Sequence, residues 1–360
     1  MVVSPTPYIP SFIRSFNRYY LYPQYSKDVI NYKGTAVVRP PYFKIPNNKF
    51  LSLNFKNLSK AIDSCIVEPD SISLIHAHFG QNGIGALRLK NRIKVPLITS
   101  FYGYDSGRLS KLFKPYYRPL IENGDIFLAL SKDMKKDLIN IGFPSEKIVI
   151  HHLGIDLNKF NPSLNQNNRK FTFLVVARLD EGKGVQDTIN AFNLIHNSNM
   201  ELIILGDGPY RNKLINLCRK LNLHNKVKFI NNFKSKNPRR TVLNHIRKCD
   251  VFLLTSFTNK LKSKEGTPVV LMEAQACGKA CISTIHAGIP EVVVNNKTGF
   301  LVKERDVEGI SIKMNLLYND RKLLKNMGEH ACLHIKDNFN HKIQIQRLCD
   351  IYTGSMKNDI

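Results

Sequence analysis

The chain has 360 residues, of which 43% are hydrophobic and 22% charged, so its length and ordinary globular composition suit two α/β domains with buried cores. Lys and Arg number 53 against 28 Asp and Glu, and the formal charge of +25 favours an anionic partner: nucleic acid, a phosphorylated small molecule or an acidic membrane surface. An AT-rich genome would enrich Lys in the same way, so charge alone does not choose among these partners.

Cysteine usage and hydropathy exclude several classes of protein. The seven cysteines are an odd number and form no CxxC pair, which argues against a disulfide framework and favours a reducing compartment. No apolar run reaches the roughly 18 residues of a membrane span, and Met1 to Pro7 lack the basic and apolar regions of a signal peptide. The sequence therefore predicts a cytoplasmic protein, with any membrane contact peripheral and on the inner face.

Strand and helix signals alternate along the first part of the chain. Val2-Val3 followed by Ser4-Pro5 is typical of the end of a buried strand, and Pro40-Pro41 is typical of a loop. The predicted strands are Thr35–Val38, Ser73–Ala77, Val95–Ser100, Ile126–Leu130 and Ile148–His152, and the predicted helices are Phe50–Cys65, Gly83–Lys90 and Lys132–Ile141. This alternation indicates a parallel sheet with right-handed crossovers.

A polar, aperiodic segment from Asp156 to Arg169 is the best linker candidate, and the alternation resumes after it. The predicted strands there are Phe171–Ala177, Glu201–Leu205, Val227–Ile230, Val251–Thr255 and Ala280–Thr284, and the helices are Val185–His196, Lys213–Leu221, Thr241–Lys248 and Pro268–Cys277. The predicted fold is α/β, with two doubly wound Rossmann-like domains, residues 1–157 and 158–338, facing a central cleft. A C-terminal helix within 339–360 is expected to pack back on the first domain. Such sheets bind ligands beyond the carboxyl ends of their strands, so we expect the site in the cleft.

The most informative segment reads EGTPVVLMEAQACG and runs from Glu265 to Gly278. Thr267 is a good N-cap, Pro268 suits the first helical position, and Gly278 suits the position just past the helix. Free backbone N–H groups at the start of such a helix would bind an anion such as a diphosphate. Glu265 is then placed to contact hydroxyls near the phosphate, and Glu273 a diol further along the ligand. Alternatively, Glu265 only complements the helix dipole and Glu273 is solvated.

Two glycine-bearing loops follow predicted strands in the second half. The loop ARLDEGKG carries Arg178 and Lys183, two cations that can clamp a diphosphate and stabilise the charge that develops on a leaving phosphate. A solvated charged loop is the alternative. The loop LGDGP carries Gly206 and Gly208 in a tight turn that lets the backbone approach a ligand, although turn chemistry explains these glycines equally well.

These elements, in this order, resemble the donor half of glycosyltransferase family four, which has the GT-B fold. The matching segments are VARLDEGKG, LGDGP and EGTPVVLMEAQACGKACISTIHAGIPEVV followed by NKTGFLV. Earlier segments agree: HAHFG, TSFYGYD, LSK with IGFP, and IHHLGID. The resemblance covers nearly the whole chain, and the two-glutamate motif in its full context is specific.

The resemblance implies a retaining transfer of a sugar from a nucleotide-diphosphate donor to a glycan or lipid-linked acceptor, without a metal ion or other cofactor. It implies a place in cell-surface polysaccharide or lipopolysaccharide assembly. The catalytic positions would be Tyr102, Arg178, Lys183 and Glu265. The positions assigned to the donor, its sugar and its ribose are Arg178, Lys183, Gly206, Gly208, Glu265, Gly266, Thr267, Pro268, Val269 and Glu273. The acceptor is expected near His78, Tyr102, Gly103 and Asp105.

Two features depart from the family pattern. Many relatives carry His where this chain has Tyr102, so a role at the reacting sugar competes with a role in the core. Family members normally begin with a strand, a Gly-rich loop and a helix, whereas Val2-Val3 resembles the second strand of that domain. We therefore expect the first domain to be incomplete, without its first βα unit of roughly 50 residues.

Basic and aromatic residues interleave in 12–20 and 108–118, which predicts contact with anionic headgroups worth about 1 kcal/mol per cation. A solvated basic face over core aromatics is an equal alternative. A nucleic-acid binder has only the charge in its favour, because no groove-reading helix with clustered arginines is found, and nucleic acid is not expected as a partner. A truncated, inactive relative that still binds nucleotide and a nucleotide-sugar epimerase of the same architecture stay open.

Overall fold

The computed structural model describes residues 1–8, 26–44, 51–66, 68–106, 108–162, 170–231, 235–259 and 264–357. The strands of the first domain are β1 Val2–Val3, β2 Thr6–Tyr8, β3 Ser26–Tyr32, β4 Thr35–Arg39, β5 Pro41–Phe43, β6 Ile75–His78, β7 Leu97–Ser100, β8 Ile126–Ala129 and β9 Ile148–Ile150. Its helices are α1 Leu51–Asp63, α2 Gly80–Ile93, α3 Gly103–Ser106, α4 Arg108–Asn123 and α5 Lys132–Ile141. No helix in these described ranges is long and apolar enough to span a membrane.

A four-stranded parallel sheet in the order β6-β7-β8-β9 forms the centre of the first domain. Aromatic rings pack edge-to-face beside it: the centroid of Phe143 lies 4.7 Å from that of Phe127 and 5.0 Å from that of Phe101. Phe101 is fully buried and directly follows β7. Its packing therefore fixes the start of the loop that carries Tyr102 and Gly103 at the carboxyl end of the sheet.

The N-terminal strands differ from the sequence prediction. Strand β3, which was not predicted, pairs antiparallel with β4, and β1 pairs parallel with β4 on its other side. The predicted buried strand is wrong for Val2, whose side chain is 47% exposed, because only the following Val3 packs against the apolar cluster that contains Leu58. The predicted Pro40-Pro41 loop is shorter than expected, since β5 begins at Pro41 and pairs with β2.

Helix α4 was not predicted, because Pro115 and Pro119 are unfavourable inside a helix. The helix contains two tyrosines of the expected membrane cluster within 108–118. Tyr117 is fully buried, and Tyr116 packs against Phe55 with 5.5 Å between ring centroids. These two aromatic side chains belong to the core, as in the alternative interpretation, while the cluster within 12–20 lies outside the described residues.

The second domain is built on six parallel strands. They are β10 Phe171–Val176, β11 Met200–Leu205, β12 Val227–Ile230, β13 Val251–Leu254, β14 Ala280–Thr284 and β15 Gly299–Val302. Its helices are α6 Val185–Ile195, α7 Arg211–Lys220, α8 Pro238–Lys248, α9 Val269–Ala276, α10 Ile289–Val292, α11 Val307–Asn319 and α12 Arg321–Asn338. The order β12-β11-β10-β13-β14-β15 reverses direction between β10 and β13. The predicted doubly wound parallel sheet is confirmed here, and the reversal marks the point where ligands of such sheets bind.

The final helix, α13 His341–Lys357, lies against the first domain. The hydroxyl of Tyr352 shares a hydrogen bond with Nδ1 of His76, and a ring nitrogen of His151 lies 3.0 Å from the backbone oxygen of Gln344. Ile155 forms a parallel bridge with Asn340, so the two segments that connect the domains run side by side.

Gly184 holds the loop after β10 against the end of β13. Its φ of +67° is in the left-handed region, and a Cβ added there would lie 1.8 Å from the backbone oxygen of Thr255. The hydroxyl of Thr255 also donates to the backbone oxygen of Gly184 over 2.8 Å. Only glycine combines this backbone angle with such a close approach.

Replacing Gly184 with alanine should therefore destabilise the second domain. We expect Gly184→Ala to lower the free energy of unfolding by roughly 1–3 kcal/mol, because the added methyl group must displace the Thr255 backbone. Gly354→Ala is the matched control, since a Cβ added at this position in α13 would meet no atom within 4 Å. Denaturant unfolding of both variants measures the difference, and equal midpoints would contradict this account of Gly184.

Candidate active site

A cavity of about 360 Å³ opens at the reversal point of the second sheet, where the first domain faces it. The loops after β10 and β13 form most of its wall, and Gly103 is the contribution of the first domain. Its lining residues are Gly103, Arg178, Asp180, Glu181, Gly182, Lys183, Pro209, Tyr210, Phe257, Asn259, Lys264, Glu265 and His286. Four sequence-predicted residues, Gly103, Arg178, Lys183 and Glu265, are thus brought together in the expected place.

The two predicted cations make different contacts. Lys183 ends a short 3₁₀ turn, Glu181–Lys183, and its ammonium forms an ion pair with the carboxylate of Glu265 across the cavity. Arg178 pairs with its neighbour Asp180, and its side chain is 74% exposed. Lys183 is therefore held in the wall, whereas the guanidinium of Arg178 can leave a surface pair for an incoming anion at little cost.

Glu265 is ionised in this setting. Burial would raise the pKa of its carboxyl, but the Lys183 ammonium and a hydrogen bond from the hydroxyl of Ser256, over 2.8 Å, outweigh burial and hold the pKa below its ordinary value. Its side chain is only 15% exposed. The result is a fixed carboxylate and a fixed ammonium side by side, both facing the cavity.

His286 fixes the backbone at the same position. The N–H of Glu265 donates to Nε2 of the imidazole over 3.1 Å, so Nε2 carries a lone pair and the proton is on Nδ1. Nδ1 then donates to the carboxylate of Glu304 at 2.7 Å, and that carboxylate also accepts from the N–H of Thr258. Because the imidazole is 2% exposed, this chain of bonds anchors Glu265 to β14 and to the loop after β15.

The start of helix α9 lies one residue later than predicted. Pro268 is the N-cap, and Thr267 is buried beneath it with a hydroxyl that has no hydrogen-bond partner among the described residues. The predicted Thr267 cap is wrong because the chain at Pro268 is extended (φ −64°, ψ 112°), which moves the first helical residue to Val269. In the described part of the chain, the N–H of Gly266, two residues before this N-cap, has no acceptor, which keeps a donor available just ahead of the helix.

Glu273 does not line this cavity. It is half-buried in α9, and burial raises the pKa of its carboxyl to about 7, while the positive charge of Arg239 acts in the opposite direction. Among the described residues, no hydrogen bond or ion pair reaches the carboxyl group of Glu273. Glu273 is therefore a desolvated carboxylate in a position where a hydroxyl donor would be favourable.

The glycines of the turn after β11 contact protein backbone. A Cβ on Gly206, whose φ is +149°, would lie 1.9 Å from the backbone oxygen of Ala177, and one on Gly208 would lie 2.5 Å from that of Leu179. The N–H of Leu179 donates to the backbone oxygen of Asp207 over 2.9 Å. These glycines bring two loops together and so place Arg178, which agrees with the turn-chemistry alternative.

The predicted acceptor residues lie at the carboxyl ends of β6 and β7. The imidazole of His78 is exposed, and its Nδ1 lies 2.7 Å from the hydroxyl of Tyr102. Burial raises the pKa of Tyr102 and lowers that of His78. Phe79, which is 42% exposed, extends this surface with its ring centroid 4.7 Å from that of Tyr102. Together they form a polar and aromatic patch on the first domain.

Asp105 lies beneath that patch. Its side chain is fully buried, one carboxylate oxygen accepts the N–H of Tyr102 at 3.0 Å, and burial raises the pKa of its carboxyl to about 7. A direct contact between Asp105 and an acceptor is therefore not provided by this arrangement. Asp105 instead shapes the loop on which Tyr102 and Gly103 sit.

Sequence reasoning missed the lining residues Lys264 and His286, and it also missed Ser256, whose hydroxyl donates to Glu265. His286 occurs in a segment that matched the family pattern, STIHAGIPEVV, but the pattern singles out no residue there. A buried His with no metal-ligand spacing gives little local signal. Around the site, no group of three or more His, Cys, Asp or Glu among the described residues could hold a metal ion.

Comparisons with known proteins agree on one family. The model of Glycosyltransferase Family 4 matches residues 14–159, and that of Glycosyl transferases group 1 matches residues 157–333. WcaL of Escherichia coli, a glycosyltransferase named for colanic acid biosynthesis, is 30% identical over 320 residues, which cover 84% of this chain and 78% of WcaL. The amylovoran biosynthesis glycosyltransferase AmsK of Erwinia amylovora is 30% identical over 304 residues, covering 82% of this chain and 74% of AmsK.

Solved structures show the same fold. Sucrose-phosphate synthase of Thermosynechococcus elongatus superimposes with a TM-score of 0.78 at 18% identity, covering 92% of this chain and 86% of its own. HepE of Anabaena, solved in complex with UDP and glucose, gives a TM-score of 0.73 at 18% identity, covering 88% of this chain and 86% of its own.

The buried carboxyl of Asp105 predicts a pH-dependent stability. Its pKa rises from 3.8 to about 7 in the fold, so between these values the native state keeps a proton that the unfolded chain has lost. The free energy of unfolding should therefore fall as the pH rises from about 4 to about 7, by up to roughly 1.4 kcal/mol per unit of pKa shift.

Asp105→Asn cannot ionise and should show a smaller fall. Urea unfolding of both proteins across this range measures it. Parallel curves of unfolding free energy against pH would contradict the role of Asp105. The raised pKa of Glu273 has an effect in the same direction, but it is present in both proteins and cancels in the comparison.

Proposed function

Since the chain belongs to glycosyltransferase family 4, the glycosyl transferases group 1, and has the GT-B fold, we propose that it transfers a sugar from a nucleotide-diphosphate donor to an acceptor hydroxyl with retention of anomeric configuration. The observation that carries the proposal is the Lys183–Glu265 ion pair in the cavity at the reversal point of the second sheet. Support for a nucleotide ligand comes from HepE, which shares the fold and was solved with UDP and glucose.

The diphosphate would lie between Arg178, Lys183 and the start of α9. Lys183 is fixed in the wall, Arg178 is free to reorient, and the N–H of Gly266 is an available donor. Together with the positive end of the helix dipole, they supply the charge that a diphosphate requires, so the proposal assigns no metal ion to the reaction.

Glu265 would bind hydroxyls of the donor sugar, with its carboxylate already oriented by Lys183 and Ser256. In the reaction, the bond between the anomeric carbon and the phosphate oxygen breaks, and its electron pair leaves with the nucleoside diphosphate. The acceptor oxygen bonds to the anomeric carbon on the same face, and its proton passes to a phosphate oxygen. Cations fixed beside that phosphate stabilise the charge that grows there in the transition state.

Glu273 and the first-domain patch complete the proposed site. The half-buried carboxylate of Glu273 would accept hydrogen bonds from the ribose hydroxyls, which would replace the solvation it lacks in this structure. The acceptor would approach over His78 and Tyr102, opposite the donor loops. The names of WcaL and AmsK, which refer to colanic acid and amylovoran biosynthesis, favour a role in polysaccharide assembly. A glycan or lipid-linked acceptor, and a place in the cytoplasm or at the inner face of the membrane, remain part of the proposal.

A two-part experiment tests the proposal. A thermal-shift panel of uridine and guanosine diphosphate sugars identifies the donor, since a ligand that binds only the folded state raises the melting temperature. The product with that donor then separates three outcomes. Transfer to an acceptor, or hydrolysis of the donor, supports the proposal. Epimer formation identifies a nucleotide-sugar epimerase, and binding without turnover identifies an inactive relative.

Substituting Glu265 should separate binding from catalysis. Glu265→Gln keeps the shape but loses the charge opposite Lys183, and we expect kcat to fall by roughly 10²–10³ because the oriented carboxylate at the reacting sugar is lost. Glu201→Gln is the control: Glu201 also forms a lysine ion pair, with Lys228, on the far part of the sheet. Steady-state kinetics of both variants decide the matter, and a Glu265→Gln variant as active as the control would exclude the assigned role.

A further inference from the structure

Helix α5 of the first domain contacts the loop after β13 directly beside Glu265. The ammonium of Lys264 lies 3.1 Å from Oδ2 of Asp133 and 2.9 Å from Oδ2 of Asp137. Asp133 and Asp137 are four residues apart and therefore lie on one face of α5. Lys264 itself lines the cavity, and the next residue in the chain is Glu265. One side chain thus connects the first domain to the backbone that presents the carboxylate.

The N-terminus of α5 makes a second contact with the other domain. The backbone N–H of Lys132 donates to the carboxylate of Glu291 in α10 over 2.7 Å, and that carboxylate also lies 3.7 Å from Nε2 of His152. Glu291 therefore satisfies a first-turn donor of α5, a task that residues of the same chain segment usually perform. Helix α5 is held by the second domain at its first residue and along its acidic face.

Glycines allow the two surfaces to approach at this point. A Cβ on Gly103 would lie 2.8 Å from the backbone oxygen of Lys264, and one on Gly266 would lie 3.0 Å from Cδ1 of Leu130. A Cβ on Gly288 would lie 2.9 Å from Cβ of Ser131, the residue before α5. The close contact between the two domains at the cleft therefore depends on backbone contact on both sides of Lys264.

The electrostatics favour closure only when Lys264 is in place. Asp133 and Asp137 carry like charges on neighbouring positions of one helix, and burial raises the pKa of Asp137 while Lys264 opposes the rise. The ammonium of Lys264 compensates both carboxylates, and its side chain is only 26% exposed. Without the Lys264 ammonium, the two carboxylates gain hydration by moving away from the loop after β13, and this movement opens the cleft.

We propose that Lys264 is a positioning residue that couples closure of the cleft to the placement of Glu265, with Asp133 and Asp137 as its anchor on the first domain. The proposal deepens the proposed function and rests on it. Closure brings Gly103, the residue after Tyr102 of the polar and aromatic patch, against the loop after β13. Through the adjacent peptide it also sets the backbone whose N–H is bound by His286. Lys264 acts on transfer through this geometry and does not itself bind the donor.

Lys264→Met tests the proposal, because methionine keeps much of the apolar stem and removes the charge. We expect kcat for transfer to fall by about ten-fold, within the usual range of coupling between two sites, while the Kd for the nucleoside diphosphate found in the thermal-shift panel stays near that of the wild type. Lys264→Arg should restore most of the activity, and the double variant Asp133→Asn with Asp137→Asn should reproduce the loss from the other domain. Lys228→Met, which removes an ion pair with Glu201 away from the cleft, is the matched control.

Small-angle scattering provides a readout that does not need turnover. With nucleoside diphosphate bound, Lys264→Met should keep a larger radius of gyration than the wild type, and Lys264→Arg should not. Unchanged kcat and unchanged scattering in Lys264→Met would overturn the proposal, as would a loss of nucleotide affinity equal to the loss of kcat. If the wild type neither transferred the sugar nor hydrolysed the donor, the proposed function would fail, and the scattering comparison would still decide whether Lys264 closes the cleft.

Discussion

The ion pair between Lys183 and Glu265 is the interaction on which the architecture of the site depends. It joins the loop after β10 to the loop after β13, the two strands between which the order of the second sheet reverses. An isolated glutamate as enclosed as Glu265 would tend to take up a proton, and the ammonium keeps it charged. In the proposed function, the same pair would provide a cation for phosphate and an anion for hydroxyls at one position.

This pair is possible only because the backbone around it is closely packed. Gly184 allows the first loop to reach Thr255, Gly206 allows the turn after β11 to reach Ala177, and Gly103 allows the first domain to reach Lys264. Each contact places one wall of the cavity at a separation that a side chain would prevent. The polar bonds of His286 and Ser256 then orient Glu265 within that frame.

Sequence reasoning reached the parts of this site that depend on local signals. Arg178 and Lys183 lie in the loop after one predicted strand and Glu265 lies in the loop after another. Because the carboxyl ends of parallel strands converge, their meeting could be predicted. His286 and Lys264 could not, because each acts through a partner distant in the chain: 18 residues separate His286 from Glu304, and 131 separate Lys264 from Asp133. Helix α4 was missed because its prolines oppose helix formation when considered alone, whereas burial of Tyr117 stabilises it in the fold. The cap at Thr267 was displaced by one residue, the usual uncertainty of a helix boundary.

The return of α13 to the first domain also orders events during synthesis. Tyr352, the hydrogen-bond partner of His76, lies 276 residues further along the chain. At ribosomal speeds, the time between the synthesis of the two residues is on the order of tens of seconds. Until Tyr352 has been synthesised, the imidazole of His76 on β6 lacks this partner. The second domain, by contrast, holds its six strands within one continuous stretch of chain and can complete its sheet first. The contact between α13 and the first domain therefore forms only after the strands of both parallel sheets have been synthesised.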